Sequence, residues 1–161
     1  MRVSQAAALL LAAGLLAACG FQLRGKAGLS AKMHSPYLDA PDRYSPFYAE
    51  LAAALKAAGA EPVATAEAAS AVVHVYRDET GRDVLTISGR NTPQEYEVYY
   101  TVEYSVAAAG EELLPRQRLT VRREYAYDET AVLAKQHEER EIREALARDL
   151  AALVSRRLAA L

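Results

Sequence analysis

Two polar segments hold the residues of this chain best suited to chemistry. Gly89-Arg90-Asn91-Thr92-Pro93-Gln94-Glu95 carries Arg90, and Asp128-Glu129-Thr130-Ala131-Val132-Leu133-Ala134-Lys135 carries Lys135. The first joins two extended runs, and the second joins the last extended run to a helix. In an antiparallel order both lie at one end of a sheet, with Arg90 and Lys135 near one another and beside tyrosines. An Arg fork and a Lys point charge so placed suit a phosphate group. Taken alone, two basic loop residues favour a plainer reading, loop solubility and helix-end capping.

Other chemistry is hard to find. No H-E-x-x-H, C-x-x-C, G-x-S-x-G or phosphate-cradling glycine loop occurs. The histidines, His34, His74 and His137, fall on a loop, a strand and a helix start. His137 and Glu141 are one turn apart, but a catalytic metal usually takes three protein ligands and no third converges. The acidic pairs Glu111-Glu112 and Glu138-Glu139 read as solvated faces or loop tips. An enzyme reading requires a convergent acid, base or nucleophile set that is absent, so neither catalysis, metal nor cofactor is expected.

The lone cysteine is more informative. Arg2 and the apolar run Ala6 to Leu16 have the layout of a secretory signal, too short to span a bilayer. The run closes on Leu16-Ala17-Ala18-Cys19, which resembles a bacterial lipobox. Cleavage would leave Cys19 as a lipidated N-terminus, and several acyl chains anchor a protein stably where one does not. Gly20, in place of an Asp, resembles an outer-membrane sorting signal. The expected organisation is a signal peptide at 1–18, a lipidated tether at 19–28 and one domain at 29–161. The expected address is the periplasmic face of the outer membrane.

Nineteen basic and 21 acidic residues in 161 are too balanced to argue for nucleic acid. With its only thiol lipidated, the mature chain can form no disulfide. Ten tyrosines and no tryptophan suit packed sheet aromatics with wet hydroxyls better than catalysts.

The elements that must position Arg90 and Lys135 follow from periodicity. Leu29 to Met33 is the expected first strand, followed by a loop punctuated by Pro36, Pro41 and Pro46. Ser45 as N-cap, Pro46 at the first helical position and Phe47, Leu51, Leu55 and Ala58 at helical spacing predict a helix ended by Gly59. Ala71 to Asp78 and Val84 to Ser88 read as extended segments separated by a turn at Thr80-Gly81-Arg82-Asp83. Tyr96, Val98, Tyr100, Val102, Tyr104 and Val106 alternate with polar residues, predicting a strand with one buried and one wet face. Arg118 to Tyr127 pairs with it across a long loop holding Gly110 and Pro115. On the wet face Glu97 and Glu103 meet Arg118 and Arg122, while Arg123 falls on the nominally apolar face. Ile142, Leu146, Leu150, Leu153, Val154, Leu158 and Leu161 mark a long C-terminal helix. Glu139–Arg143 and Glu144–Arg148 are expected as pairs on its outer face. The sum is a two-layer α+β domain, two helices on one face of a mainly antiparallel sheet of about four strands.

The same residues carry a family resemblance. Ala18-Cys19-Gly20-Phe21-Gln22-Leu23-Arg24-Gly25 resembles the start of the mature lipopolysaccharide-assembly lipoprotein LptE. Arg90-Asn91-Thr92-Pro93-Gln94-Glu95-Tyr96 and the strand after it resemble that family's central hairpin. Tyr127-Asp128-Glu129 followed by Leu133-Ala134-Lys135 and Glu138-Glu139 resembles its strand-to-helix joint. The resemblance spans the mature chain, with weak stretches at residues 35–70, and implies two helices on a four-stranded sheet. It also implies a non-enzymatic outer-membrane lipoprotein that plugs the LptD β-barrel one to one, helps it assemble and binds lipopolysaccharide. Cys19 would be the lipid attachment site, and Lys135 and Arg90 the lipopolysaccharide contacts. The alternative function is an auxiliary outer-membrane lipoprotein of a different lipid-transport system.

Overall fold

The computed structural model describes residues 30–161. The signal segment 1–18, Cys19 and Leu29 lie outside them. Four strands form one sheet in the order β1-β2-β3-β4: β1 (Pro36–Asp39), β2 (Ala71–Ile87), β3 (Pro93–Ala108) and β4 (Glu111–Ala126). Helix α1 (Pro46–Ala57) connects β1 to its parallel neighbour β2, and α2 (Val132–Leu158) follows β4. The pairs β2–β3 and β3–β4 are antiparallel. This is the two-layer α+β architecture expected, with one parallel pair at the edge.

The start of the domain differs from expectation. Ala31–Met33 forms a single 3-10 turn, not a strand, and Met33 is fully buried. The strand begins three residues later at Pro36, read above as a loop residue. Proline lacks an N–H to donate, and the first residue of an edge strand is where a sheet tolerates that. Helix α1 starts as its sequence dictates: Ser45 Oγ accepts from the Tyr48 N–H at 3.0 Å, with Pro46 at the first position. The helix closes around Gly59 (φ 98°), where Ala60 N–H donates to Leu55 C=O at 2.9 Å and Gly59 N–H to Lys56 C=O at 3.0 Å.

The expected turn at Thr80–Asp83 does not form. Those residues lie inside a single 17-residue strand, so the two extended segments are one. The cause is the partner strand: β3 holds 16 residues and pairs with β2 along nearly its whole length, Gly81 opposite Tyr99. A ladder that long outweighs the local turn preference of Thr-Gly-Arg-Asp.

The long loop expected between β3 and β4 is likewise absent. The strands join through Ala109 (φ 50°) and Gly110 (φ 81°), the two positive-φ residues of a tight hairpin whose twist matches its strands. Pro115 falls within β4 where the register shifts between Tyr104 and Val106 of the partner, an edge-strand irregularity that accommodates its missing donor.

The core lies between the sheet and the helices. From β3 come Val98, Tyr100, Val102, Tyr104 and Val106; from α1, Phe47, Leu51 and Leu55; from α2, Ile142, Leu146, Leu150, Val154 and Leu158. Leu153, counted in the apolar stripe above, faces outward at 41% exposure. Small Ala147 and Ala151 are fully buried between the larger residues, consistent with the close approach of α2 to its neighbours.

The second face of the sheet is drier than alternation implied. Thr101, Glu103 and Ser105 are buried there, although no helix covers them. Long side chains do so instead, with Arg116 and Arg118 reaching across Glu103 and Arg116 lying 4.4 Å over the Tyr76 ring. The expected cross-strand pairs Glu103–Arg118 and Glu97–Arg122 are both formed.

Candidate functional site

The two polar segments do lie at the same end of the sheet. Glu95 of β3 pairs with Ala126 of β4, and Tyr127 N–H donates to Gln94 C=O at 2.8 Å. That register carries the β2–β3 turn against the joint between β4 and α2. Ser88 shapes the turn: its N–H donates to Thr92 C=O at 2.8 Å, and its Oγ accepts from the Arg90 and Thr92 N–H groups at 3.2 Å each. Asn91 takes a positive φ of 62°, tolerated by Asn better than by most residues. The Arg90 side chain projects into a cleft of about 440 Å³ shared with Thr92, Tyr127, Asp128 and Glu129.

Asp128 closes the joint. Its Oδ1 accepts from the Thr130 N–H at 2.8 Å and the Thr130 hydroxyl at 2.7 Å. Those two bonds hold its carboxyl below the usual range, so it stays charged. The Arg90 cleft therefore sets one cation against two acids.

Lys135 lies in the first turn of α2 and faces elsewhere. Its Nζ is 2.8 Å from Glu138 Oε2 and 6.0 Å from the centre of the Tyr125 ring. It does not line the Arg90 cleft. The fold thus brings both residues to one end of the sheet without bringing them into one cleft.

Next to Lys135 is a group of residues that the sequence did not bring together. Glu139, expected on the outer face of α2, is buried at 9% exposure. Its Oε2 accepts from Arg82 Nη1 at 2.6 Å and from the Tyr125 hydroxyl at 2.9 Å, and its Oε1 from Arg143 Nη2 at 2.5 Å. Arg82 also lies 4.6 Å over the Tyr96 ring, which stacks on Tyr125 at 5.8 Å and meets Tyr127 edge-on at 5.2 Å. Burial pushes the Glu139 carboxyl up, but the bonds from Tyr125 and Arg82 and the charges of Arg143 and Arg82 outweigh it and hold it below its ordinary value. Burial and the adjacent Glu139 carboxylate push the Tyr125 hydroxyl up. The Glu139–Arg143 spacing was visible, but Arg82 sat in an expected turn and its reach to α2 had no local signal.

The second helix pair expected, Glu144–Arg148, is replaced: Arg148 lies 3.9 Å from Glu50 of α1. Arg123, on the core-side face of β4, escapes burial by reaching Asp149 at 3.4 Å. His74 lies 3.0 Å from Asp39, and His137 3.2 Å from Glu141 with both side chains exposed. Among the described residues no three potential ligands gather to hold a metal ion, and no helix is long and apolar enough to cross a membrane.

A four-stranded sheet carrying two helices on one face is the fold of a group of solved bacterial lipoproteins. It is similar to the solved lipoprotein B of Nitrosomonas europaea, with TM-score 0.74 and 24% identity over 88% of this chain and 91% of that one. It is similar also to rare lipoprotein B of Shewanella oneidensis, with TM-score 0.69 and 24% identity over 78% and 94%. The sequence matches the model of the family LptE, described as lipopolysaccharide-assembly, over residues 33–158, and the chain belongs to that family. A relative named LPS-assembly lipoprotein LptE, from Pectobacterium atrosepticum, is 29% identical over 150 residues, 92% of this chain and 80% of its own length.

Proposed function

We propose that this protein is a lipid-anchored, non-enzymatic plug and assembly partner of the LptD β-barrel, and that it contacts lipopolysaccharide during export to the outer leaflet. The observation that supports this reading is the convergence of Arg90 and Lys135 on one end of the sheet in a member of a lipopolysaccharide-assembly family. Cys19 carries the acyl chains that hold the domain at the periplasmic face of the outer membrane, while its body occupies the barrel lumen one to one.

The residues have a simple division of labour in this account. Arg90, on an exposed and stiffly hydrogen-bonded turn, offers a planar fork to a phosphate. Lys135 exchanges its half-buried Glu138 partner for a second phosphate oxygen, one charge-assisted contact for another. The two acids of the Arg90 cleft favour a transient contact over tight capture, which suits a substrate in transit.

The test is a titration of the full chain with purified lipopolysaccharide. The paired substitution Arg90→Gln and Lys135→Gln weakens binding about tenfold or more, in line with two lost charge-assisted contacts. Binding that survives the pair unchanged overturns the assignment of these two residues.

A further inference from the structure

Three clefts near this end of the domain differ in charge. The Arg90 cleft sets one arginine against Asp128 and Glu129. A second, along α2, sets Arg123 and Arg148 against Glu138, Glu141 and Glu144. The third reverses the balance: Arg82, Arg140 and Arg143 line it with Gln136 and one carboxylate, Glu139.

That carboxylate is already engaged by Arg82, Arg143 and Tyr125. It neutralises one of the three guanidinium charges and fixes two of them in place. Arg82 is held further by the Tyr96 face. Arg140 is exposed, and the carboxylate beside it is already taken by Arg143 and Arg82. Gln136, Glu139, Arg140 and Arg143 recur at spacings of three and four, so they share one face of α2, with Arg82 opposite on β2. The cleft, about 400 Å³ and lined mainly by polar groups, has room for a phosphate group. Two guanidinium groups held in place, with donors to spare beside the exposed Arg140, suit the oxygens of a phosphate.

We infer that the Arg82–Arg140–Arg143 cleft is a second anion site, separate from Arg90 and Lys135, and that it takes a phosphate monoester. On α2 it begins at Gln136, the residue after Lys135. The inference goes beyond the lipopolysaccharide reading and does not depend on it, because a free phosphate suffices to occupy the cleft.

Arg140 is the residue to change, since its removal strands no buried partner. The full chain in neutral detergent is titrated with inorganic phosphate while the arginine side-chain N–H resonances are followed by NMR. The expected result is a saturable shift of the Arg82 and Arg140 signals, weakened about tenfold by Arg140→Gln and unchanged by Arg156→Gln, at an exposed position in the last turn of α2. Absence of a saturable shift, an unchanged affinity in Arg140→Gln, or equal loss in Arg156→Gln overturns the site. The source of the phosphate is read by repeating the titration with dihexanoyl phosphatidic acid and dihexanoyl phosphatidylcholine. Tighter binding of phosphatidic acid than of free phosphate supports the site and identifies a lipid headgroup. Equal binding supports the site and identifies the phosphate alone. A phosphatidylcholine response as strong as that of phosphatidic acid overturns it.

Discussion

Arg82 and Glu139 are 57 residues apart in sequence, yet Arg82 Nη1 lies 2.6 Å from Glu139 Oε2, tying the middle of β2 to the N-terminal third of α2. Tyr125 of β4 joins the same oxygen, so one carboxylate links three elements. Glu139→Ala leaves two guanidinium groups and a buried hydroxyl without their acceptor. The expected cost is about 2 kcal/mol, below that of a fully buried pair because Arg82 and Arg143 can turn to water. Urea unfolding measures it, and Leu133→Ala, at an exposed position, provides a neutral comparison.

Acid should loosen the domain through the same residue. The Glu139 and Glu103 carboxyls are both held below their ordinary value of 4.5, Glu139 against its burial and Glu103 chiefly by Arg116 and Arg118. Their contribution to stability is complete above the unfolded value and is lost as pH falls through the lower folded values, because the unfolded chain takes up the protons first. Urea midpoints measured from about pH 7 down to about pH 3 should therefore fall below about pH 4.5, and fall less steeply in Glu139→Gln.

Tyr99 and Gly81 give a different kind of test. They sit opposite one another on β3 and β2, and the Tyr99 ring and hydroxyl occupy the space a Gly81 side chain would take. Thr80 Oγ1 donates to Tyr99 C=O at 2.8 Å beside it. Gly81→Val must displace the ring and is expected to cost about 1–3 kcal/mol. Adding Tyr99→Ala should recover part of that loss, a coupling that a double-mutant cycle reads directly.

Ser45 makes two connections with one oxygen, capping α1 through the Tyr48 N–H and donating to Asp78 Oδ2 at 2.5 Å. Asp78 in turn accepts from the buried Tyr100 hydroxyl at 2.7 Å. Ser45→Ala should cost about 1–2 kcal/mol, and Ser45→Asp should fail to rescue it because a second carboxylate would face Asp78. Thermal unfolding of the two variants decides the point.

How much of this was legible in the sequence varied with the range of the interaction. Ser45-Pro46 and the stripe from Phe47 to Leu55 announce α1 because its cap and core face are local. The six-fold alternation from Tyr96 to Val106 announces β3 for the same reason, and its polar residues pointed to Arg118 and Arg122 across the ladder. Misreadings arose where a distant partner decided. Gly81 reads as a turn until a 16-residue partner strand is laid against it. Pro115 reads as a loop until β4 is known to be an edge strand with a shifted register. Glu139 reads as solvated until Arg82 arrives from β2. The ends that carry Arg90 and Lys135 were legible from strand direction alone, whereas the exclusion of Lys135 from the Arg90 cleft depends on side-chain directions that no spacing encodes.

The most direct test of the proposed function is the composition of the complex carried by the lipidated protein in native membranes. After extraction in mild detergent and affinity capture, native mass spectrometry reads the partners and their ratio. The account predicts one copy of this chain, bearing acyl mass at Cys19, bound to one LptD barrel. A folded, acylated protein recovered without any barrel would contradict it.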